Sequence, residues 1–558
     1  MMEHTLRSAL SKALLISLWA GVVHAHGPDD NQCALLAAEA GELLYDDQYA
    51  GITVTYVSSG WCNQNCSGWT LFPGSYMSLL VINFILPTVI FALVIARRWH
   101  LDLPAHLLDI NSRHSRILLK LLCSFVAVGV VAFLDMVFWI AAIITLAGPM
   151  ILSGLQEMLL DFKIVRALRE IHHHAAFRGL TPGDRLDLLV SLLCGNFAGK
   201  SGQTMMQIRT TLSPTPQTAA TLEHSKARLI AILAAQANFG FAVGIAALFF
   251  LGAFLYNALG INELTVKGIN WTPYALWLMV MVIVALLSAT LLTGNNPNVV
   301  NILLTAQHHP QSRKWYHIVV DYYQNELYPV SMWDRGDSKM NWVRNSQACR
   351  THAWLAQKMD LGWKSWATLG LVAVLLTIFA PLMAYGMAYH LPFPREGCRS
   401  LSYVLYASLQ VWLIGVALKR SKSGLLFEDF PVADSSTRFY QSWQLALRWI
   451  FYGICIAATA AALCLSFFIA LFGSIFQIFG IYNNCFCQTS VSTWGSPASG
   501  RYTYLGFFAM SDDYAARLGR FATGMIWTAA GIVGGICYFG WWYQKVLKSA
   551  VMREIESL

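Results

Sequence analysis

Charge is what this sequence has least of. Of its 558 residues only 12% are Asp, Glu, Lys or Arg, whereas 56% are hydrophobic, and the mean hydropathy is +0.49. Soluble domains carry about 25% charged residues. This chain cannot coat a water-facing surface of its size, so lipid must cover much of it. That shortage excludes a soluble enzyme, a disordered regulator and a nucleic-acid reader, and the net charge of +8 does not restore the last, because the basic residues are sorted by membrane side. Catalytic patterns are missing as well. There is no Ser/His/Asp triad, nucleophile elbow, paired outside carboxylates or metal-ligand set, so the reading is of a non-enzyme without a cofactor or a metal.

Lys and Arg are absent altogether between His26 and Gly74, a stretch that holds Asp29, Asp30, Glu39, Glu42, Asp46 and Asp47. Acid without base ahead of a first span marks an exported segment. Before it, Arg7 and Lys12, the apolar Ala13 to Val23 and the small residues of Val23-His24-Ala25 read as a secretory signal cleaved after Ala25.

What is present is a series of apolar runs at 75–96, 117–155, 229–257, 274–293, 366–389, 401–418, 449–480 and 522–542. A span needs about 20 apolar residues. As helix, 117–155 would extend about 58 Å, which predicts two spans with Asp135 at the turn between them. The run 449–480 predicts one tilted helix. The expectation is an all-α polytopic membrane protein with about nine transmembrane helices, N-terminus outside and C-terminus cytosolic. Its parts are a signal (1–25), an exported acidic head (26–74), three spans (75–155), a cytosolic basic loop (156–228), two spans (229–293), a cytosolic aromatic-rich loop (294–365), four spans with Cys-containing outer loops (366–542) and a cytosolic tail (543–558). Charge placement agrees: the inside segments hold 28 Lys and Arg, the outside segments 6.

Glycosylation triplets begin at Asn65 and Asn270, both outside on this topology. So do six cysteines, Cys33, Cys62, Cys66, Cys398, Cys485 and Cys487, which allow up to three disulfides in several connectivities. Cys485 and Cys487 are too close to pair without strain. Each is expected to reach the N-terminal segment or Cys398.

The loops offer few sharp signals. An amphipathic stretch from Gln156 to Ile171 predicts a juxtamembrane helix or a continuation of the third span. Glu170 and His174 stand one helical turn apart beside His172 and His173, but a closed metal site needs more ligands, and a solvated histidine run is preferred. Cys194 to Ser201 ends in Gly-Lys-Ser like a phosphate-binding loop, yet has Cys where that loop requires Gly. The aromatics of 294–365, among them Trp315, Trp333, Trp342, Trp354 and Trp363, suit a small packed subdomain and make this loop the candidate for a protein partner.

Within the spans ionisable groups are nearly absent, which argues against ion or proton coupling. The neutral polar residues include Asn83, Gln410, Gln236, Asn238 and Ser288, the last three being the candidate pathway residues. Gln236, Gly240 and Gly244 fall on one face of a continuous helix, and Gly531 and Gly535 repeat that small-residue spacing.

The stretches Cys398-Arg399-Ser400-Leu401-Ser402-Tyr403, Asn484-Cys485-Phe486-Cys487, Trp494-Gly495-Ser496-Pro497 and Ser499-Gly500-Arg501-Tyr502-Thr503-Tyr504 resemble uncharacterised multi-span membrane proteins of filamentous fungi. The resemblance implies a membrane protein of the secretory pathway and carries no activity. The expected function is a transporter or channel for a neutral or weakly polar solute. The alternative is a receptor-like or scaffold protein, in either case in the lipid bilayer, at the plasma membrane.

Overall fold

The computed structural model describes residues 30–49, 52–65, 85–96, 117–173, 180–199, 204–213, 218–236, 238–259, 272–292, 327–390, 397–423, 438–479, 481–483, 487, 502–510 and 512–558. The protein is mostly helical. In chain order, α1 (Asp30–Glu39), β1 (Leu44–Tyr49), β2 (Ile52–Ser58) and α2 (Ser59–Asn65) form the head, followed by α3 (Leu86–Val94), α4 (Ile117–Thr145) and α5 (Ala147–His173). Next come α6 (Pro182–Cys194), β3 (Phe197–Gly199), α7 (Thr204–Leu212), α8 (Ala219–Ala234), a π-helical turn (Gly240–Gly244) running into α9 (Ile245–Leu259), and α10 (Thr272–Thr290). The remainder is β4 (Leu327–Pro329), a short turn (Met332–Asp334), α11 (Arg335–Arg344), α12 (Gln347–Thr351), α13 (Ala353–Met359), α14 (Trp363–His390), α15 (Cys398–Ser423), α16 (Arg438–Ile478), β5 (Tyr502–Met510) and α17 (Asp512–Glu556).

Among the described residues five helical segments are long and apolar enough to cross a membrane: α10, α14 with α13 before it, α15, α16 and α17. They are not equivalent. Helix α10 is apolar on every face, and all nineteen of its residues are buried. Such a helix belongs at the centre of a bundle. The apolar windows of the other four are only 22–39% buried, and side chains such as Trp449, Phe451, Ile454, Trp527 and Phe539 lie exposed on them. Their outward faces suit lipid.

Helices α4 and α5 pass the same test only together, bent by 72° at Leu146. The cause is Gly148-Pro149. Proline at the start of α5 has no N–H to give the Thr145 carbonyl and its ring crowds that group, so α4 must stop there. Asp135 is therefore not at a turn. It lies buried inside α4, ten residues before the break. Two packed antiparallel spans would need a reversal far sharper than 72°. Residues 449–478 of the run 449–480, by contrast, lie in one unbroken helix, the 41-residue α16.

A second break interrupts 229–257. Helix α8 ends at Ala234 and the chain resumes helical form only at the π turn, so Gln236, Gly240 and Gly244 do not share one helix face. Nor do Gly531 and Gly535 mark a close helix contact: a Cβ added at either would meet nothing within 4 Å. The tight glycines are elsewhere. A Cβ at Gly148 would stand 2.7 Å from Ile414 Cγ1, and one at Gly370 would stand 2.6 Å from Leu418 Cδ1.

The all-α expectation also needs correcting at both ends of the bundle. In the head, β1, β2 and β5 form an antiparallel sheet in that order, with Ile52 opposite Met510 and Ser58 opposite Tyr502. The β2 sequence Ile-Thr-Val-Thr-Tyr-Val-Ser is rich in β-branched residues, which favour the pleated conformation. At the opposite end, β3 pairs with β4. That pairing occupies Phe197 to Gly199, so the sequence resembling a phosphate-binding loop is spent on a strand.

A second hydrophobic core, separate from the one around α10, lies at this opposite end. Leu188, Leu192 and Cys194 of α6, Ile208 and Leu212 of α7, Leu229 and Leu233 of α8, Trp342 of α11, Leu355 of α13 and Val551 and Ile555 of α17 fill it. Parts of both long loops and the C-terminal tail thus make one helical subdomain beneath the bundle. The whole amphipathic stretch from Gln156 to Ile171 belongs to α5, which continues without interruption into this subdomain.

Candidate functional site

Both helix breaks are bridged by glutamine side chains from other helices. At the first, Gly148 N–H donates to Gln410 Oε1 at 2.9 Å, while Gln410 Nε2 donates to the Thr145 carbonyl at 3.0 Å and to Ser466 Oγ at 3.0 Å. The Tyr406 hydroxyl donates to the Ile144 carbonyl at 2.6 Å. Polar backbone freed within an apolar bundle has no water to bond, so neighbouring helices must supply the partners. Gln410 lies ten residues, about 15 Å, along α15 from Arg420, whose guanidinium pairs with Asp334 at 3.0 Å near the subdomain. The first break is thus deep in the bundle.

At the second, Phe239 N–H donates to Gln544 Oε1 at 2.9 Å, and Gln544 Nε2 donates to the Ala289 carbonyl at 2.9 Å. Gly540, one turn earlier on α17, leaves room for this approach: a Cβ there would lie 2.5 Å from Thr290 Cγ2 and 2.9 Å from Phe239 Cε2.

The join between bundle and subdomain holds four buried charges. Arg335 Nε lies 2.8 Å from Glu157 Oε2, and Lys339 Nζ lies 3.6 Å from Glu157 and 2.9 Å from Asp161, with every one of these side chains at most 1% exposed. Lys339 also donates to the Leu192 carbonyl of α6. Glu157 and Asp161 are one turn apart on α5, as are Arg335 and Lys339 on α11, so two i,i+4 pairs face each other. Gly336 between the cations donates its N–H to Ser153 Oγ at 2.8 Å. A buried ion pair recovers its desolvation cost only when geometry and hydrogen bonding are good. This constellation fixes α11 on α5 in one register.

Within the subdomain Arg209 is the hub. Its guanidinium lies 3.7 Å from Asp187 Oδ1 and 5.1 Å from the Trp342 ring centre, and donates to the Trp342 and Asn345 carbonyls. Burial holds the Asp187 carboxyl above the usual carboxylate range and Arg209 below its own, each opposed by the charge of the other. The tail is tied in by Arg185, which donates to Ser557 Oγ at 2.7 Å and lies 3.5 Å from Glu554. Glu170 is engaged by Arg166 at 2.8 Å and by Lys358.

The candidate pathway residues do not converge. Ser288 is buried on α10 and its hydroxyl donates to the Val94 carbonyl at 3.4 Å. Gln236 is buried beside the second break, where its carbonyl accepts from Lys548 Nζ at 3.3 Å. Asn238 alone is exposed, in a cleft of about 680 Å³ between the second break and α17. Lys545, Lys548 and Trp541 line the other wall.

At the head end Cys398 is bonded to Cys487, the link to the last loop expected of one of the paired positions. Cys62 is likewise disulfide-bonded. Asn65 ends α2, exposed, with its amide donating to the Trp61 carbonyl at 3.0 Å. Asn270, Cys66, Cys485, Asn83, Trp315, His174 and the signal at 1–25 fall outside the described residues, as do the side chains of Cys33, His172 and His173. No local pattern announces the charge quartet, because Arg335 and Glu157 are 178 residues apart. Comparison with family models, curated proteins and solved structures finds no match for this chain.

Proposed function

We propose that the chain is a receptor-like or scaffold membrane protein, with an exported, disulfide-tied head at one end and a partner-binding cytosolic subdomain at the other. The observation that supports this reading is the join: four buried charges lock the subdomain onto α5, the helix that continues into it from the bundle. A transport pathway calls for polar groups from several spans directed at one volume. In this bundle Ser288, Gln410 and Gln544 are bonded to backbone groups instead, and α10 at the centre is enclosed on every side. Transport of a neutral or weakly polar solute stays as the second reading, favoured by the cleft at Asn238.

The orientation in this reading has the N-terminus outside and the C-terminus cytosolic, in a plasma-membrane protein delivered by the secretory pathway after signal cleavage and glycosylated at Asn65 and Asn270. In place of nine spans we propose seven crossings, α3, α9, α10, α14, α15, α16 and α17, with α4 and α5 forming a re-entrant pair whose break sits at Gln410. An impermeant maleimide distinguishes the two. Phe133→Cys, at an exposed site near Asp135, stays unlabelled from outside if the pair is re-entrant and is labelled if 117–155 forms two spans.

The functional reading is tested with full-length protein in vesicles loaded with urea, glycerol or a hexose. Release no faster than from loaded vesicles without protein is expected, together with a discrete heavier species in intact cells from a photocrosslinker at Gln357, exposed on α13. Saturable release that Asn238→Leu abolishes overturns the proposal in favour of transport.

A further inference from the structure

The cleft at the second break has a composition that neither reading of the whole protein uses. Its lining includes Lys545 and Lys548 of α17 and no Asp or Glu. Lys545 Nζ lies 5.3 Å from the Trp541 ring centre, and among the described residues Lys548 Nζ makes one hydrogen bond, at 3.3 Å to the Gln236 backbone carbonyl. An ammonium has three protons to donate, so Lys548 retains capacity for an anion. The facing wall is the chain entering the π turn and α9, with Asn238, Phe239, Gly240 and Phe241 on the lining. The first N–H groups of a helix have no intrahelical partner, and its dipole is positive there; of these groups Gln544 takes the Phe239 N–H. Two lysines and a helix start thus approach one volume of about 680 Å³ from opposite sides.

The second observation is apolar. Phe241, on the cleft lining, is 86% exposed, and Ile245, Leu248 and Phe249 continue that exposed surface along α9. On α17, Tyr538 and Trp541 do the same. Apolar sequence from Phe521 to Tyr543 gives way at Lys545, and Trp and Lys at such a boundary mark the level of lipid headgroups. A free inorganic anion would use the lysines and ignore the aromatic track. A neutral lipid would use the track and leave the cations without a counter-charge.

We propose that this cleft binds the headgroup of an anionic phospholipid, with the phosphate and its acidic substituent between Lys545, Lys548 and the start of α9, and an acyl chain along Phe241, Leu248 and Phe249. The site is independent of whether the protein acts as a scaffold or a transporter.

Full-length protein in neutral detergent is titrated with dioctanoyl phosphatidylserine, dioctanoyl phosphatidylcholine and inorganic phosphate, with bound adducts read by native mass spectrometry. Phosphatidylserine is expected to bind at least about tenfold tighter than phosphatidylcholine. Lys545→Gln is expected to weaken it about fivefold, the size of one lysine near an anionic lipid surface. Among the described residues the Trp541 ring is the partner of Lys545, so this variant keeps the test valid if Lys548→Gln fails to fold. Equal affinity for the two lipids overturns the proposal, as does phosphatidylserine binding that Lys545→Gln leaves unchanged. Inorganic phosphate binding as tightly as phosphatidylserine overturns it in favour of a free anion.

Discussion

Gln410 and Gly148 are 262 residues apart, and the carboxamide of one accepts the backbone N–H of the other at 2.9 Å inside the bundle. The same carboxamide donates across the break to Thr145. One neutral side chain therefore replaces the helical hydrogen bonding that Pro149 removes.

Gln410→Leu keeps the volume and removes both bonds. A buried amide left without a partner costs on the order of 1–3 kcal/mol, and here a donor and an acceptor are both orphaned. The variant is expected to lose roughly 2–5 kcal/mol, seen as a lower midpoint in a thermal assay of detergent-solubilised protein. Ser408→Ala, exposed on the same helix, serves as the reference. An unchanged midpoint for Gln410→Leu would show that water or another group replaces the glutamine.

Removal of one cation from the charge quartet leaves its carboxylates buried with a single counter-ion. Lys339→Met is expected to destabilise by about 3–5 kcal/mol. The double variant Lys339→Met with Asp161→Leu removes charge of both signs, so it should be the milder of the two despite carrying more changes. Thermal midpoints of the three proteins decide the matter. A double variant worse than the single would mean that packing, not charge balance, dominates the join.

Burial pushes the Cys194 thiol up to about 12, and raises that of Cys349 in the same core. The thiolate is the reactive form. Neither residue should be alkylated by a maleimide at pH 7 while the subdomain is folded, and both should react in denaturant. Peptide mapping by mass spectrometry reads each site, and rapid native labelling of Cys194 would contradict the burial of α6.

The Cys398–Cys487 bond spans 89 residues. An engineered protease site between residues 423 and 438 would divide that loop. The two fragments should migrate together on a denaturing gel until reductant is added, and separate without it when Cys398→Ser is combined with Cys485→Ser, which also removes any bridge from Cys485 to the N-terminal segment. Separation without reductant would remove the bond.

The elements that the sequence announced are those whose cause is local. Runs of apolar residues long enough to cross a bilayer are visible in the chain, and α10, α14, α15, α16 and α17 lie where those runs predict. The first helix break had a local signal too, Gly148-Pro149, but Asp135 drew the turn to itself as the one carboxylate in an apolar run. The strand character of Ile52 to Ser58 was also legible and was outweighed by the helical majority. Other features had no local signal at all. Glu157 and Asp161 read only as polar positions of an amphipathic helix, because their partners, Arg335 and Lys339, belong to a different loop. Gln410 and Gln544 read as generic polar residues because the backbone groups they satisfy are free only once a break elsewhere has formed. Ser288 was singled out for its polarity, whereas the Val94 carbonyl that accepts its proton lies on another helix.

The segment Tyr502–Glu556 supplies the third strand of the head sheet and part of the core at the far end of the bundle. During synthesis β2 emerges about 440 residues before β5. At ribosomal speeds of about 5–20 residues per second, that is a wait of roughly 20–90 s. Throughout this interval the β1–β2 hairpin offers an open edge, and α6, α7 and α8 lack the tail residues that complete their core. Both ends of the molecule close together, once Tyr502–Glu556 has emerged. A nascent chain stalled before Tyr502 would therefore present unfinished surfaces at both ends of the bundle at once.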